Sequence, residues 1–129
     1  MKVVHCEQVE YAAVETEGAS GCRIRCLMGE ADGAPSFTMR QFEVAVGGHT
    51  PKHTHGYEHE VFVLQGNGVV SDGDRETALR PGTAVLVPPG ALHQFRNTGS
   101  TPLVFLCLIP HPIRGMAAIP CAAACGCDG

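Results

Sequence analysis

From residue 36 onwards, apolar and β-branched positions fall into short runs, and each run ends in turn chemistry. Residues 36–46 run into Gly47 and Gly48, and residues 60–65 into Gly66, Asn67 and Gly68. A brief pair, Val69 and Val70, leads to Ser71, Asp72, Gly73 and Asp74. Residues 76–79 meet Arg80, Pro81 and Gly82, and residues 83–87 meet Pro88, Pro89 and Gly90. Residues 93–97 and 103–109 complete the series, separated by Thr98, Gly99, Ser100, Thr101 and Pro102. This punctuation predicts an all-β domain of the sandwich or barrel kind, with tight turns in place of long helices.

Two of the runs, residues 84–87 and 103–109, are apolar at every position, so both faces of those strands should be covered. One face fills a barrel. The other meets the N-terminal residues Val9, Tyr11 and Ala13 or a second subunit, and a homodimer is the expectation.

The chain has 129 residues, 44% of them apolar and 17% charged, enough for one globular core. Residues 1–35 are read as N-terminal strands and an arm packing on the barrel, residues 36–112 as the barrel, and residues 113–129 as a cysteine-containing tail. A net charge of −4, with scattered arginines and only two lysines, Lys2 and Lys52, argues against a nucleic-acid partner. The N-terminus lacks the apolar stretch of a secretion signal, and no apolar run approaches a membrane span. A cytoplasmic location is expected, in which seven cysteines, an odd number, read as thiols or ligands and not as a disulfide framework.

The candidate chemistry is carried by histidine. In an extended strand His53 and His55 point the same way, roughly 6 to 7 Å apart along the backbone, a spacing that suits one metal ion. Gly56 permits a turn before a strand on which Glu60 shares a face with Phe62 and Leu64, and His93 follows the Pro88, Pro89, Gly90 turn with Phe95 and Asn97 on its face. Alternation alone would place any two such residues together, so His-x-His by itself does not establish a site.

The segment running from Gly82 through Pro88, Gly90 and His93 to Asn97 resembles the second conserved motif of the cupins. Gly47, His53, His55, Glu60 and Gly66 resemble the first. In this chain five residues separate Glu60 from Gly66, where the family usually has six. Counting one residue fewer after His55 would put His59 in the ligand position. Glu60 is preferred, because a carboxylate matches the family pattern.

The resemblance implies a double-stranded β-helix, a jelly-roll-like barrel, holding one divalent metal ion inside its mouth through His53, His55, Glu60 and His93. Such ligands suit Mn, Fe, Co, Ni, Cu or Zn, and in an octahedral ion they leave two positions for substrate, water or dioxygen. Phe62 and Phe95 are expected to wall the site, and Arg40, on the inward parity with Phe42 and Val44, to pair with a substrate carboxylate. A metal-dependent, dioxygenase-like oxidoreductase acting on a small molecule is the leading reading. An isomerase or lyase, or a non-catalytic small-molecule or metal-binding module, is the alternative. No general base and no organic cofactor site stand out. Cys107 reads as a small apolar filler, and Cys121, Cys125 and Cys127 receive no role.

Overall fold

The computed structural model describes residues 1–111. The tail expected over residues 113–129, with Cys121, Cys125 and Cys127, lies outside the described residues. Among the described residues nine strands form in chain order: β1 (Ala12–Ala13), β2 (Ser20–Met28), β3 (Phe37–His49), β4 (His59–Gln65), β5 (Gly68–Ser71), β6 (Glu76–Leu79), β7 (Ala84–Val87), β8 (Gln94–Asn97) and β9 (Leu103–Pro110). Among the described residues helix is confined to two single turns, and no helix is long and apolar enough to cross a membrane.

All pairings are antiparallel, and the sheet runs β6, β5, β8, β3, β9, β4, β7, with β2 added along β3 and β1 along β2. The long β3 is the hinge of this arrangement. Its first part pairs with β9, from Phe37 opposite Pro110 to Val44 opposite Leu103, and its last residue, His49, pairs with Arg96 of β8. One strand thus passes from one sheet of the jelly roll to the other, and the curled sheet encloses a core.

That core is Phe42, Val44, Val61, Val63, Phe95, Leu103, Phe105 and Ile109, all essentially inaccessible. Phe42 and Phe105 stack at 5.3 Å between ring centroids, and Phe95 meets Phe105 at 4.9 Å. Gly66 closes β4 at φ +85°, and a Cβ there would stand 2.3 Å from the Pro102 carbonyl oxygen, so the turn admits only glycine.

The N-terminal residues extend this sheet. Val14, Cys22 and Ile24 are buried with the core, and the Tyr11 hydroxyl accepts a hydrogen bond from Gln41 Nε2 at 3.0 Å. The Arg23 and Arg25 guanidinium groups lie over the Tyr11 ring at 4.1 and 4.0 Å.

The direction of β4 departs from the expectation. The strand starts at His59, and its inward residues are His59, Val61 and Val63, whereas Glu60, Phe62 and Leu64 face outwards. The cause is pairing: Val61 lies opposite Cys107 and Val63 opposite Phe105, both inward residues of β9. A strand with apolar side chains on both parities is set by its neighbour's register, and one step reverses every side chain. On the edge strand β7, Leu86 is 63% exposed, on the face for which the sequence left a second subunit as one possible cover.

Candidate metal centre

The segment carrying His53 and His55 is not a regular strand, yet it is fixed like one. Thr50 N donates to the Phe95 carbonyl at 2.9 Å, and Phe95 N donates to Thr50 Oγ1 at 2.9 Å. His53 and His93 exchange backbone bonds at 3.2 and 3.0 Å, and Gly90 N donates to the His55 carbonyl at 2.8 Å. The first histidine pair is therefore zipped onto the turn that presents His93. The alternation expected of an extended segment survives, with both imidazoles on one face.

Three ligand nitrogens, one each from His53, His55 and His93, lie within 4.8 Å of one another. Their ring centroids are 4.7 to 4.9 Å apart. His59 completes the group from β4. Its ring centroid is 4.1 Å from that of His55 and 5.2 Å from that of His93, and its Nε2 is 3.1 Å from His55 Nδ1. His59 is fully buried and His93 nearly so.

Glu60, expected as the fourth ligand, is exposed on the outer surface beside Glu58 and Leu108, turned away from the imidazoles by the register of β4. The residue that converges there is His59. Phe62 shares Glu60's face and is 44% exposed, so it does not wall the site, whereas Phe95 is buried with its ring 6.3 Å from that of His93. Arg40 points inward as its parity suggests, but it is wholly buried and its Nη2 donates to Cys107 Sγ at 3.0 Å. It is committed to the interior beside His59 and is not presented at the surface. Gln94 and Asn97 serve the framework: Gln94 donates to the Thr50 carbonyl at 3.0 Å, and Asn97 to the carbonyls of Val44 and Thr101 at 2.9 and 2.8 Å.

The electrostatics favour the neutral forms of His55 and His59. Burial, followed by the neighbouring His93 and His53, lowers the pKa of His55 to about 4. Burial, followed by the Arg40 charge, holds His59 far below the usual imidazole value. His93 Nδ1 donates to the Ala91 carbonyl at 2.9 Å, which leaves Nε2 as the lone-pair nitrogen. Burial pushes the Cys107 thiol up, against the opposing effect of Arg40.

His55 Nε2 is buried without a hydrogen-bond partner. An orphaned nitrogen on a neutral ring is an unsatisfied lone pair in a low-dielectric interior, and a first-row divalent ion satisfies such a donor set. The residues present thus fit the expected metal. A cavity of about 360 Å³ adjoins His93, lined by Val70, Thr77, Val85, Val87 and Leu92, with Arg75 among its polar residues.

The family model of the cupin domain matches residues 40–109. The chain belongs to the cupins. Over 71 residues this cupin is 37% identical to 1-methylthio-D-xylulose 5-phosphate methylsulfurylase of Rhodospirillum rubrum, a match covering 55% of the chain and 46% of the relative. It is 34% identical over 58 residues to an oxalate-binding protein of Thermotoga maritima, covering 44% of the chain and 48% of that protein. The chain thus spans about half the length of the curated relatives it matches. Among solved structures, the polyketide cyclase RemF of Streptomyces resistomycificus aligns with a TM-score of 0.80 at 36% identity, covering 85% of this cupin and 79% of that chain.

Sequence reasoning named His59 as the competitor of Glu60 but preferred Glu60, and it missed Cys107 as a polar neighbour. The spacing before Gly66 carried a signal for His59. For Cys107 the signal was its place in the strand paired with the one bearing Arg40, which only the pairing reveals.

Proposed function

We propose that this cupin is a metal-dependent enzyme that holds one divalent first-row ion with His53, His55, His59 and His93 and acts on a small carbonyl compound bearing two neighbouring oxygen atoms. The observation that carries the reading is the convergence of four imidazoles, one with a buried, unpartnered Nε2. With neutral ligands only, the bound ion keeps its full charge and supplies Lewis-acid polarisation of a carbonyl oxygen. The dioxygenase-like oxidoreductase rested on a three-histidine, one-carboxylate set, and an outward Glu60 removes the carboxylate from it. Lyase, isomerase or cyclase chemistry on a carbonyl becomes the favoured class.

The names of the relatives support the substrate class, since a ketose phosphate and oxalate both offer paired oxygens to one ion. The chain's own residues supply orientation and dryness. His53 and His55 are half-buried and stand nearest the solvent, Tyr57 stacks on His55 at 4.3 Å, and Phe95 and Phe105 close the interior. The cavity beside His93 has the volume for a small molecule and an apolar wall to orient it.

The site reading is tested by metal analysis of the purified protein beside two variants. His59→Ala is expected to lose bound metal and Glu60→Ala to keep it. The reverse pattern would restore the carboxylate set, and a wild type without affinity for any first-row ion would remove the premise.

We also infer a homodimer through the outer face of β4 and β7. Supporting this, Phe62 and Leu86 are exposed diagonally across from each other on neighbouring strands, and β7 is an edge strand.

A further inference from the structure

Cys107 occupies a position that an apolar filler does not need. It is 1% exposed, at the centre of β9, directly opposite Arg40 of β3 on one side and Val61 of β4 on the other. His59 lies diagonally across from it on β4, and all three polar side chains point into the barrel. Two nitrogens approach the one sulfur: Arg40 Nη2 at 3.0 Å and His59 Nδ1 at 3.1 Å. A guanidinium can only donate, so the sulfur already acts as an acceptor towards Arg40.

The proton on His59 can stand on either ring nitrogen, and its position decides whether His59 can ligate. Its Nε2 is 3.1 Å from His55 Nδ1, so the two nitrogens cannot both direct a hydrogen at this contact. If His59 carried a hydrogen there, His55 would accept at Nδ1 and its own hydrogen would sit on Nε2, a buried donor without a partner. Orphaned buried N–H groups are the rarer and costlier kind. If instead His59 carries its hydrogen on Nδ1, directed at the sulfur, its Nε2 keeps a bare lone pair, and the Nδ1 hydrogen of His55 is directed at the Tyr57 carbonyl. His55 Nε2 is then a bare lone pair, the state required of a ligand. With Cys107 as acceptor, no buried N–H of these two rings is left without a partner and both His55 Nε2 and His59 Nε2 are free to ligate.

We propose that Cys107 is a positioning residue: its sulfur, held by Arg40, accepts the His59 Nδ1 hydrogen and so fixes the imidazole tautomer that offers Nε2 to the metal. This rests on the four-histidine reading of the site. Metal-bound histidines generally donate their second nitrogen to a carboxylate or carbonyl, as His93 does to Ala91, and removal of such a partner lowers metal affinity by about 10- to 100-fold. For His59 the sulfur takes that place.

The first measurement uses the metal-free, full-length protein: the long-range nitrogen-15 spectrum of the imidazoles reports which nitrogen of His59 bears the hydrogen. Nδ1–H is expected, and an Nε2–H tautomer overturns the proposal. The second measures Zn(II) affinity by competition with a chromophoric chelator, in wild type, Cys107→Val and Cys107→Ser. Valine keeps the volume without an acceptor and is expected to lose about 10- to 100-fold. Serine keeps the acceptor and should retain most of the affinity. Valine binding as tightly as wild type, or serine failing alongside valine in a folded protein, contradicts the assignment. Should the valine variant not fold, the wild-type spectrum still decides. If the wild type takes up no metal, the site reading falls while the spectrum tests the Cys107 contact separately.

Discussion

His53 and His93 each donate a backbone hydrogen bond to the other, at 3.2 and 3.0 Å, although neither belongs to a regular strand. The two cupin motifs are joined at this bridge, so the spacing of the imidazoles depends on hydrogen bonds in irregular chain as much as on the barrel. The segment is held at one end by Thr50, which is fully buried.

Thr50→Val should therefore act on stability and metal affinity together. It removes the oxygen that accepts Phe95 N–H at 2.9 Å and leaves that buried donor unsatisfied, at a cost of about 1 to 3 kcal/mol. Urea unfolding of the metal-free variant is expected to show the loss, and a Zn(II) titration a weaker site. An unchanged urea midpoint would show that the Thr50 hydroxyl does not anchor the segment.

Metal-free protein should lose stability as the pH falls. His55 is held at about 4 and His59 lower still, against a usual value of 6.5, by burial and by the surrounding His53, His93 and Arg40. Above 6.5 both states are neutral, and the stability is fully present. Below it the unfolded chain takes up protons that the folded chain refuses, so stability declines by about 1.4 kcal/mol per pH unit for each such proton. Urea midpoints measured from about pH 7.5 down to about pH 5 should fall, and replacing His55 and His59 together should flatten the slope.

Two glycines with similar backbone angles should respond differently to alanine. At Gly66, φ +85°, an added Cβ would lie 2.3 Å from the Pro102 carbonyl oxygen, whereas at Gly82, φ +91°, it would meet nothing within 4 Å. Gly82→Ala carries only the left-handed backbone penalty, about 1 to 2 kcal/mol. Gly66→Ala adds a collision with main chain and is expected to cost more, by about 1 to 3 kcal/mol. Chemical unfolding of the pair checks the order, and equal losses would mean that the turn after β4 yields.

Leu86→Asp should separate the proposed dimer without disturbing the barrel. Light scattering coupled to size exclusion is expected to show two chains for wild type and one for the variant, with far-ultraviolet dichroism unchanged. A wild type that elutes as one chain would exclude this contact.

Most of the fold was legible because turn residues and apolar runs are local features. The Gly66, Asn67, Gly68 and Pro88, Pro89, Gly90 turns fall where the pattern puts them, and His53, His55 and His93 come together as their motifs imply. What local pattern left open was the phase of β4. Val61 and Val63 on one parity and Phe62 and Leu64 on the other are equally suited to a core, so alternation alone could not choose between Glu60 and His59.

The sequence by itself determined an all-β cupin barrel, a cluster of three imidazoles, and two adjacent candidates, Glu60 and His59, for a fourth member. Only the tertiary structure turned His59 inward and Glu60 outward, because the register of β4 against β9 is a contact between strands some 40 residues apart and leaves no trace in either run alone. The same pairing set Cys107 between Arg40 and His59, turning a small core residue into the acceptor that orients a ligand.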